Sequence, residues 1–207
     1  MDNNLIYNKI IKNGLSFNSY VEITEKFLET TDVNNLNDEE FETYNYIKLN
    51  LQRSKRIAKT FKPSEKILEI IHSISEPQTW VVITENWCGD SSQNLPYIAK
   101  LAKLNSNIKL VIILRDSNPD IMNQYLTNGT MSIPIWVVFD ENNEELFKWG
   151  PRPEKAKEEI KRLKAEGIVK PELYEKLHLW YGRNRGKELL GEITKLIENS
   201  INTLKVI

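Results

Sequence analysis

The hydrophobic positions change their period along the chain. Over roughly the first sixty residues they recur at helical spacing. In SFNSYVEITEKFL, the positions Phe17, Tyr20, Val21, Thr24, Phe27 and Leu28 share one face behind Ser16, a residue type suited to capping a helix start. In NDEEFETYNYIKLNLQRSKRIAKTF, Asn37 is followed three residues on by Glu40, the spacing of a capping box. Phe41, Tyr44, Ile47, Leu51, Ile57, Ala58 and Phe61 then form an apolar stripe, and Lys48, Arg53, Lys55, Arg56 and Lys59 read as the solvated face behind it. From Pro63 the pattern alternates. PSEKILEIIHSI predicts a helix with Pro63 in its first turn, and QTWVVIT a buried strand rich in branched residues. SSQNLPYIAKLAKL predicts a second helix, IKLVIILRD a second buried strand, and PDIMNQYLTNG a short helix stopped by Asn128-Gly129. SIPIWVVFD and EELFKW read as a hairpin turning at Glu141-Asn142-Asn143. EKAKEEIKRLKAEG is a charged helix ended by Gly167.

That order of elements implies an α/β fold, with a central mixed sheet of about four strands flanked by helices, because parallel neighbours need crossover connections. Beyond it, PELYEKLHLWYGRNRGKELLGEITKLIENSI predicts one or two further helices with Leu173, Leu177, Trp180, Tyr181, Leu189, Leu190, Ile193, Leu196 and Ile197 facing inward. The expected organisation is an N-terminal helical extension packed on the core (1–62), an α/β domain (63–167) and a C-terminal helical extension (168–207).

Composition narrows the classes of function. The 207 residues are 40% hydrophobic, enough for a full core. The 28 Lys+Arg balance 29 Asp+Glu, so no net field attracts nucleic acid or an anionic membrane, and neither is expected as a partner. Arg183 and Arg185 beside Trp180 and Tyr181 therefore read as solvated charges next to packed aromatics. No apolar run approaches the roughly 20 residues a membrane helix needs, and MDNNLIYNKIIKNGLSF lacks the apolar centre of a signal peptide. Cys88 is the one cysteine, which fits a reducing compartment, and the expectation is a cytoplasmic protein. With His72 and His178 far apart in sequence, no metal-ligand cluster is visible, nor is there a phosphate-binding glycine loop. No cofactor is expected.

The candidate chemistry sits in WCGDS, at the corner between a strand and a helix. A cysteine at a helix start lies where unpaired N–H groups and the positive end of the dipole favour a negative charge. The thiolate is the nucleophile, so the corner predicts a reactive, accessible thiol. Gly89 leaves the approach to the sulfur open and Trp87 supplies an apolar wall.

Trp87-Cys88-Gly89 at this corner, Ser132-Ile133-Pro134 opening a later strand, and the order of elements together resemble the thioredoxin-like superfamily. The likeness is to its bacterial members with a WCGD corner and extra helices at both ends, and it covers about Pro63 to Gly167. The resemblance implies a three-layer sandwich in which Pro134 has a cis peptide bond and lies across from Cys88. It also implies that the backbone of Ile133 pairs with an incoming peptide, and that Gly150 lines the same groove. Two departures change the chemistry. Ser91 stands where a dithiol protein has its second cysteine, so a mixed disulfide on Cys88 needs an external thiol to resolve it. Val82 stands where thioredoxins carry a buried aspartate, with Glu85 near in sequence. Ser91 can donate a hydrogen bond to the thiolate, whereas Asp90 opposes the negative charge. CGDS is also similar to the CGFS of monothiol glutaredoxins, but the segment after Pro134 lacks their Gly-Gly-x-Asp element, which disfavours cluster binding. The expected function is monothiol exchange on protein or glutathione mixed disulfides, with Cys88, Ser91 and Asp90 as the catalytic group and Trp87, Gly89, Ile133, Pro134 and Gly150 lining the groove. The alternative is a non-catalytic binding module in which Cys88 is incidental.

Overall fold

The computed structural model describes residues 3–204, with side chains from Leu5 to Asn202. The chain divides into two compact units, Met1–Pro151 and Arg152–Ile207. The first contains α1 (Asn3–Asn13), α2 (Phe17–Thr30), α3 (Asp38–Thr60), α4 (Glu65–His72), β1 (Gln78–Thr84), α5 (Gly89–Ala102), β2 (Ile108–Leu114), α6 (Pro119–Met122), β3 (Ile135–Phe139) and β4 (Glu145–Trp149). The sheet order is β2-β1-β3-β4. β1 runs parallel to β2 with Val81 beside Val111, and β3 runs antiparallel to β1 with Val137 beside Val81. β4 returns antiparallel to β3.

Every residue of β1 is buried, as the run of branched and aromatic residues after Gln78 requires of a central strand. On one face Val81, Ile83, Val111, Ile113, Ile135 and Val137 pack with Ile6 and Ile10 of α1 and with Ile121 and Met122 of α6. On the other, Trp80 and Trp136 meet edge to face with ring centroids 4.8 Å apart. α5 packs against β1 and β2 from that side, α3 lies along α5, and α2 along α3. Helices thus cover both faces of a four-stranded mixed sheet, the α/β thioredoxin-like arrangement.

The first sixty residues belong to this same unit. Leu15 exchanges both backbone hydrogen bonds with Ile112, at 2.9 and 2.8 Å, so the outer edge of β2 is paired there instead of open. The residue before it must be glycine, since a Cβ on Gly14 would lie 2.1 Å from Val111 Cγ1. The Ser16 cap and the Asn37–Glu40 capping box form as read, with the Ser19 amide donating to Ser16 Oγ at 3.0 Å and the Glu40 amide to Asn37 Oδ1 at 3.0 Å.

Two helix readings are corrected. α4 begins at Glu65 behind Ser64, so Pro63 lies outside its first turn. PDIMNQYLTNG keeps only one α-helical turn, because the amides of Gln124 and Tyr125 bond three residues back and tighten the chain. It then reverses at Asn128 and Gly129, both at positive φ, between paired Thr127 and Thr130. The β3–β4 hairpin turns where expected, with Asp140 Oδ1 accepting from the amides of Asn142 and Glu144 at 2.8 Å each.

The second unit holds α7 (Glu154–Ala165), α8 (Glu172–Asn184) and α9 (Lys187–Leu204). Ala156, Ile160, Leu177 and Tyr181 form its buried cluster, with Trp180 packed against it. The C-terminal segment is two helices, separated by Arg185 and Gly186 in the left-handed region. Among the described residues no helix is long and apolar enough to cross a membrane.

Candidate functional site

β1 ends at Thr84, the chain turns through Glu85, Asn86 and Trp87, and Cys88 becomes the N-cap of α5 with extended backbone angles. The Cys88 amide bonds back to Glu85 O at 3.2 Å, and Cys88 O accepts the Ser92 amide at 3.2 Å. The first amides of α5 therefore have no helical partner. The amides of Asp90 and Ser91 and the Ser91 hydroxyl each pull the Cys88 pKa down. Behind them Thr84 Oγ1–H donates to Ser91 Oγ at 2.6 Å.

Across from the sulfur, the Ile133-Pro134 bond is cis. The Cys88 thiol donates to Ile133 O at 3.5 Å. Gly150 backs this segment at φ +130°, and a Cβ there would lie 2.2 Å from Pro134 O, so glycine is required for the approach. Trp87 forms a half-buried wall, its ring beneath the Arg115 guanidinium at 4.6 Å. Arg115 is itself held by Met131 O at 3.1 Å and Asp116 Oδ1 at 2.7 Å. The structure thus places Cys88, Ser91, Ile133, Pro134 and Gly150 together, with Trp87, Gly89 and Asp90 flanking the sulfur in sequence.

The thiol is not accessible as expected. Cys88 is only 8% exposed, and burial pushes its thiol up to about 11, with the Asp90 charge adding to the rise and the Ser91 hydroxyl and two amides opposing it. Cys88 is buried in the core cluster with Ile83, Ile121, Met122, Tyr125 and Ile133, and α3 covers α5, where residues 90–99 have no exposed side chain. Polar groups fasten the cover. Asn50 Nδ2–H donates to Asn86 O at 3.2 Å, Arg53 Nη1–H to Asn50 Oδ1 at 3.1 Å, and Ser54 Oγ–H to Ser92 O at 3.4 Å. Arg53 therefore leaves the solvated face to which the sequence pattern assigned it, and burial lowers its pKa. The Ile133 carbonyl, expected to pair with a peptide, is occupied by the thiol itself.

Val82 is fully buried in the sheet. The Glu85 carboxylate accepts the Asp116 amide at 2.8 Å and ties the end of β1 to the segment after β2. Burial raises its pKa and that amide partly offsets the rise. Thr84, Asn50 and Ser54 escaped the reading of the sequence. Asn50 carries a usable signal, because it lies on the buried side of α3 with Ile47 and Ile57, where a polar group must find a partner. Among the described residues there is no group of three or more His, Cys, Asp or Glu side chains able to hold a metal.

Comparison with known proteins agrees with this geometry. A solved protein of unknown function from Pseudomonas aeruginosa is similar in fold at 19% identity, with a TM-score of 0.60 over 94% of this chain and 98% of that one. An HIV epitope-scaffold is similar at 20% identity, with a TM-score of 0.60 over 93% of this chain and 98% of its own. No curated protein matches. The family model described as thioredoxin matches residues 36–164, more than half of the chain, and the chain therefore belongs to the thioredoxin-like family.

Proposed function

We propose that the protein carries out monothiol exchange through Cys88 on protein or glutathione mixed disulfides. The observation that supports this reading is the placement of Cys88 at the N-cap of α5, with its thiol against Ile133 O beside the cis Ile133-Pro134 bond. The unpaired amides and positive end of a helix start stabilise a thiolate far more than a thiol. In the first step the Cys88 sulfur attacks a disulfide RS–SR′, forming Cys88–S–S–R and breaking the S–S bond. R′S⁻ leaves and ends as R′SH with the proton Cys88 gave up. Ser91 cannot resolve the product, so an external thiol such as glutathione attacks the R sulfur, forms a new disulfide with it, and returns Cys88.

The resting site holds the thiol protonated against Ile133 O. A substrate backbone pairing with Ile133 displaces that bond, so docking and release of the sulfur are coupled in this reading. Trp87, Gly89, Pro134 and Gly150 shape the groove, and Asp90 restrains the thiolate until a substrate arrives. A cytoplasmic setting supplies the reducing thiol.

A second reading has its own support. A buried thiol pushed up to about 11 is mostly protonated at neutral pH, as suits a binding module in which Cys88 is incidental. Incubation with glutathione disulfide at pH 8 and mass measurement of the native protein separates the two. A single glutathione adduct that is lost in Cys88→Ser and released by added glutathione is the expected result. An adduct that forms only in urea overturns the exchange reading in favour of the binding module.

A further inference from the structure

We infer that the outward face of α3 is the contact surface of a symmetric dimer, in which α3 of a second copy of this chain packs across it in the antiparallel sense. The inference is independent of the exchange reading of Cys88. One side of α3 is already occupied, since Ile47, Asn50 and Ile57 are buried and the helix packs on α5 and α2. The other side is open. Phe41 and Leu49 are 46% and 41% exposed there, and they border a hollow of about 420 Å³ whose lining includes Asp38, Glu42, Asn45 and Tyr46. Large apolar side chains gathered around a hollow and rimmed by polar ones mark a surface that packs on something.

The charges name the occupant. Asp38, Glu42, Leu49 and Arg56 follow one another at spacings of four, seven and seven residues, so they stack along one side of the helix. Glu42 and Arg56 each stand seven residues, two turns, from Leu49. All three are exposed, and among the described residues neither charged side chain has an ion-pair or hydrogen-bond partner. A second α3 laid antiparallel, with Leu49 against the partner's Leu49, sets Glu42 against the partner's Arg56, twice by symmetry. It also brings the acidic first turn, Asp38, Glu39 and Glu40, level with the last turn that carries Lys59 in the other copy, so the two helix dipoles oppose favourably. A parallel arrangement sets like charges on each other at both ends. A uniformly basic or uniformly acidic partner satisfies one end and repels the other, whereas α3 itself is acidic at one end and basic at the other. The area that two crossing helices bury lies at the low end of specific interfaces, so the dimer is reversible and its population rises with concentration.

The test is sedimentation equilibrium of the whole chain, in reductant so that a disulfide through Cys88 plays no part. The average mass is expected to rise toward twice that of one chain as concentration increases. Glu42→Arg and Arg56→Glu each turn two attractions into two repulsions, and each is expected to raise the dimer Kd at least roughly tenfold. Leu49→Glu places two like charges at the centre and is expected to leave a monomer. Mixing the two single reversals is expected to restore association, because every substituted charge then meets its opposite, and the double reversal Glu42→Arg with Arg56→Glu restores it within one chain. A contact elsewhere on the molecule predicts neither rescue. A wild type that keeps the mass of one chain at every concentration overturns the inference, even if the same face captures a different protein. A dimer that survives both reversals and Leu49→Glu overturns it too, as does a mixture of the two reversals that fails to associate. Should one reversal fail to fold, Leu49→Glu and the other reversal carry the test, and a dimer unchanged in both then overturns it.

Discussion

At the scale of single residues, Cys88 is the balance of one large opposing effect and several small favourable ones. Burial is the largest cause of its raised pKa, and Asp90 is the next. Asp90→Asn keeps the side-chain shape and removes the charge, so the thiolate faces one repulsion fewer. The inflection of Cys88 alkylation is expected to fall, while staying above the ordinary thiol value because burial persists. Labelling at neutral pH should accelerate by up to roughly tenfold, one pH unit of charge interaction. An unchanged profile would mean that the Asp90 charge is screened from the sulfur. Ser91 acts with the opposite sign, and the two neighbours of a single thiol thereby tune it from both sides. The types of these residues could be read from five letters, WCGDS, but their relative weights could not. Those depend on how much water reaches the sulfur, which is set by core residues far away in sequence such as Ile121, Met122 and Ile133.

At the scale of elements, the helix α3 links the N-terminal part of the chain to the chemistry. Its capping box was legible because Asn37 and Glu40 need only local spacing, and its stripe was legible because Ile47 and Ile57 follow the helical period. Its role as a roof over α5 was not, since the contacts that make it one run from Asn50 to Asn86 and from Ser54 to Ser92. The sheet strands were legible for a related reason: β1 and β3 are buried throughout, and composition alone marks such runs. α6 was overread, because one turn of helix and a tightened coil share the same apolar spacing. The α3 roof makes a clear prediction. Asn50→Ala leaves the Asn86 carbonyl and the Arg53 guanidinium without their shared partner, at a cost of about 1–3 kcal/mol. Loosening the loop also admits water to Cys88, so its alkylation near neutral pH should rise several-fold in the folded protein. Urea unfolding checks the first effect and labelling kinetics the second. Lost stability with unchanged labelling would show that Asn50 braces the fold without governing the thiol.

At the scale of the whole molecule, the buried thiol makes stability depend on alkaline pH. In the unfolded chain Cys88 releases its proton near the ordinary value of 9.0, whereas the folded protein retains it up to about 11. Between those values the unfolded state binds fewer protons than the folded one, so stability falls as pH rises. The contribution is fully present below pH 9 and is lost by about pH 11, and two pH units amount to about 2–3 kcal/mol. Tyr20 and Tyr125 are also raised by burial from an ordinary value of 10.0, so they extend the loss above pH 10. Cys88→Ala removes the thiol and leaves both tyrosines in place. Urea midpoints of the two proteins measured from pH 8 to pH 11 should therefore run parallel up to about pH 9 and then separate, with the wild type losing more. Curves that stay parallel to pH 11 would mean that the folded protein ionises Cys88 as readily as the unfolded chain does. The donors around Sγ would then outweigh burial, and the site would hold a ready thiolate at rest, with no need of a substrate to release it.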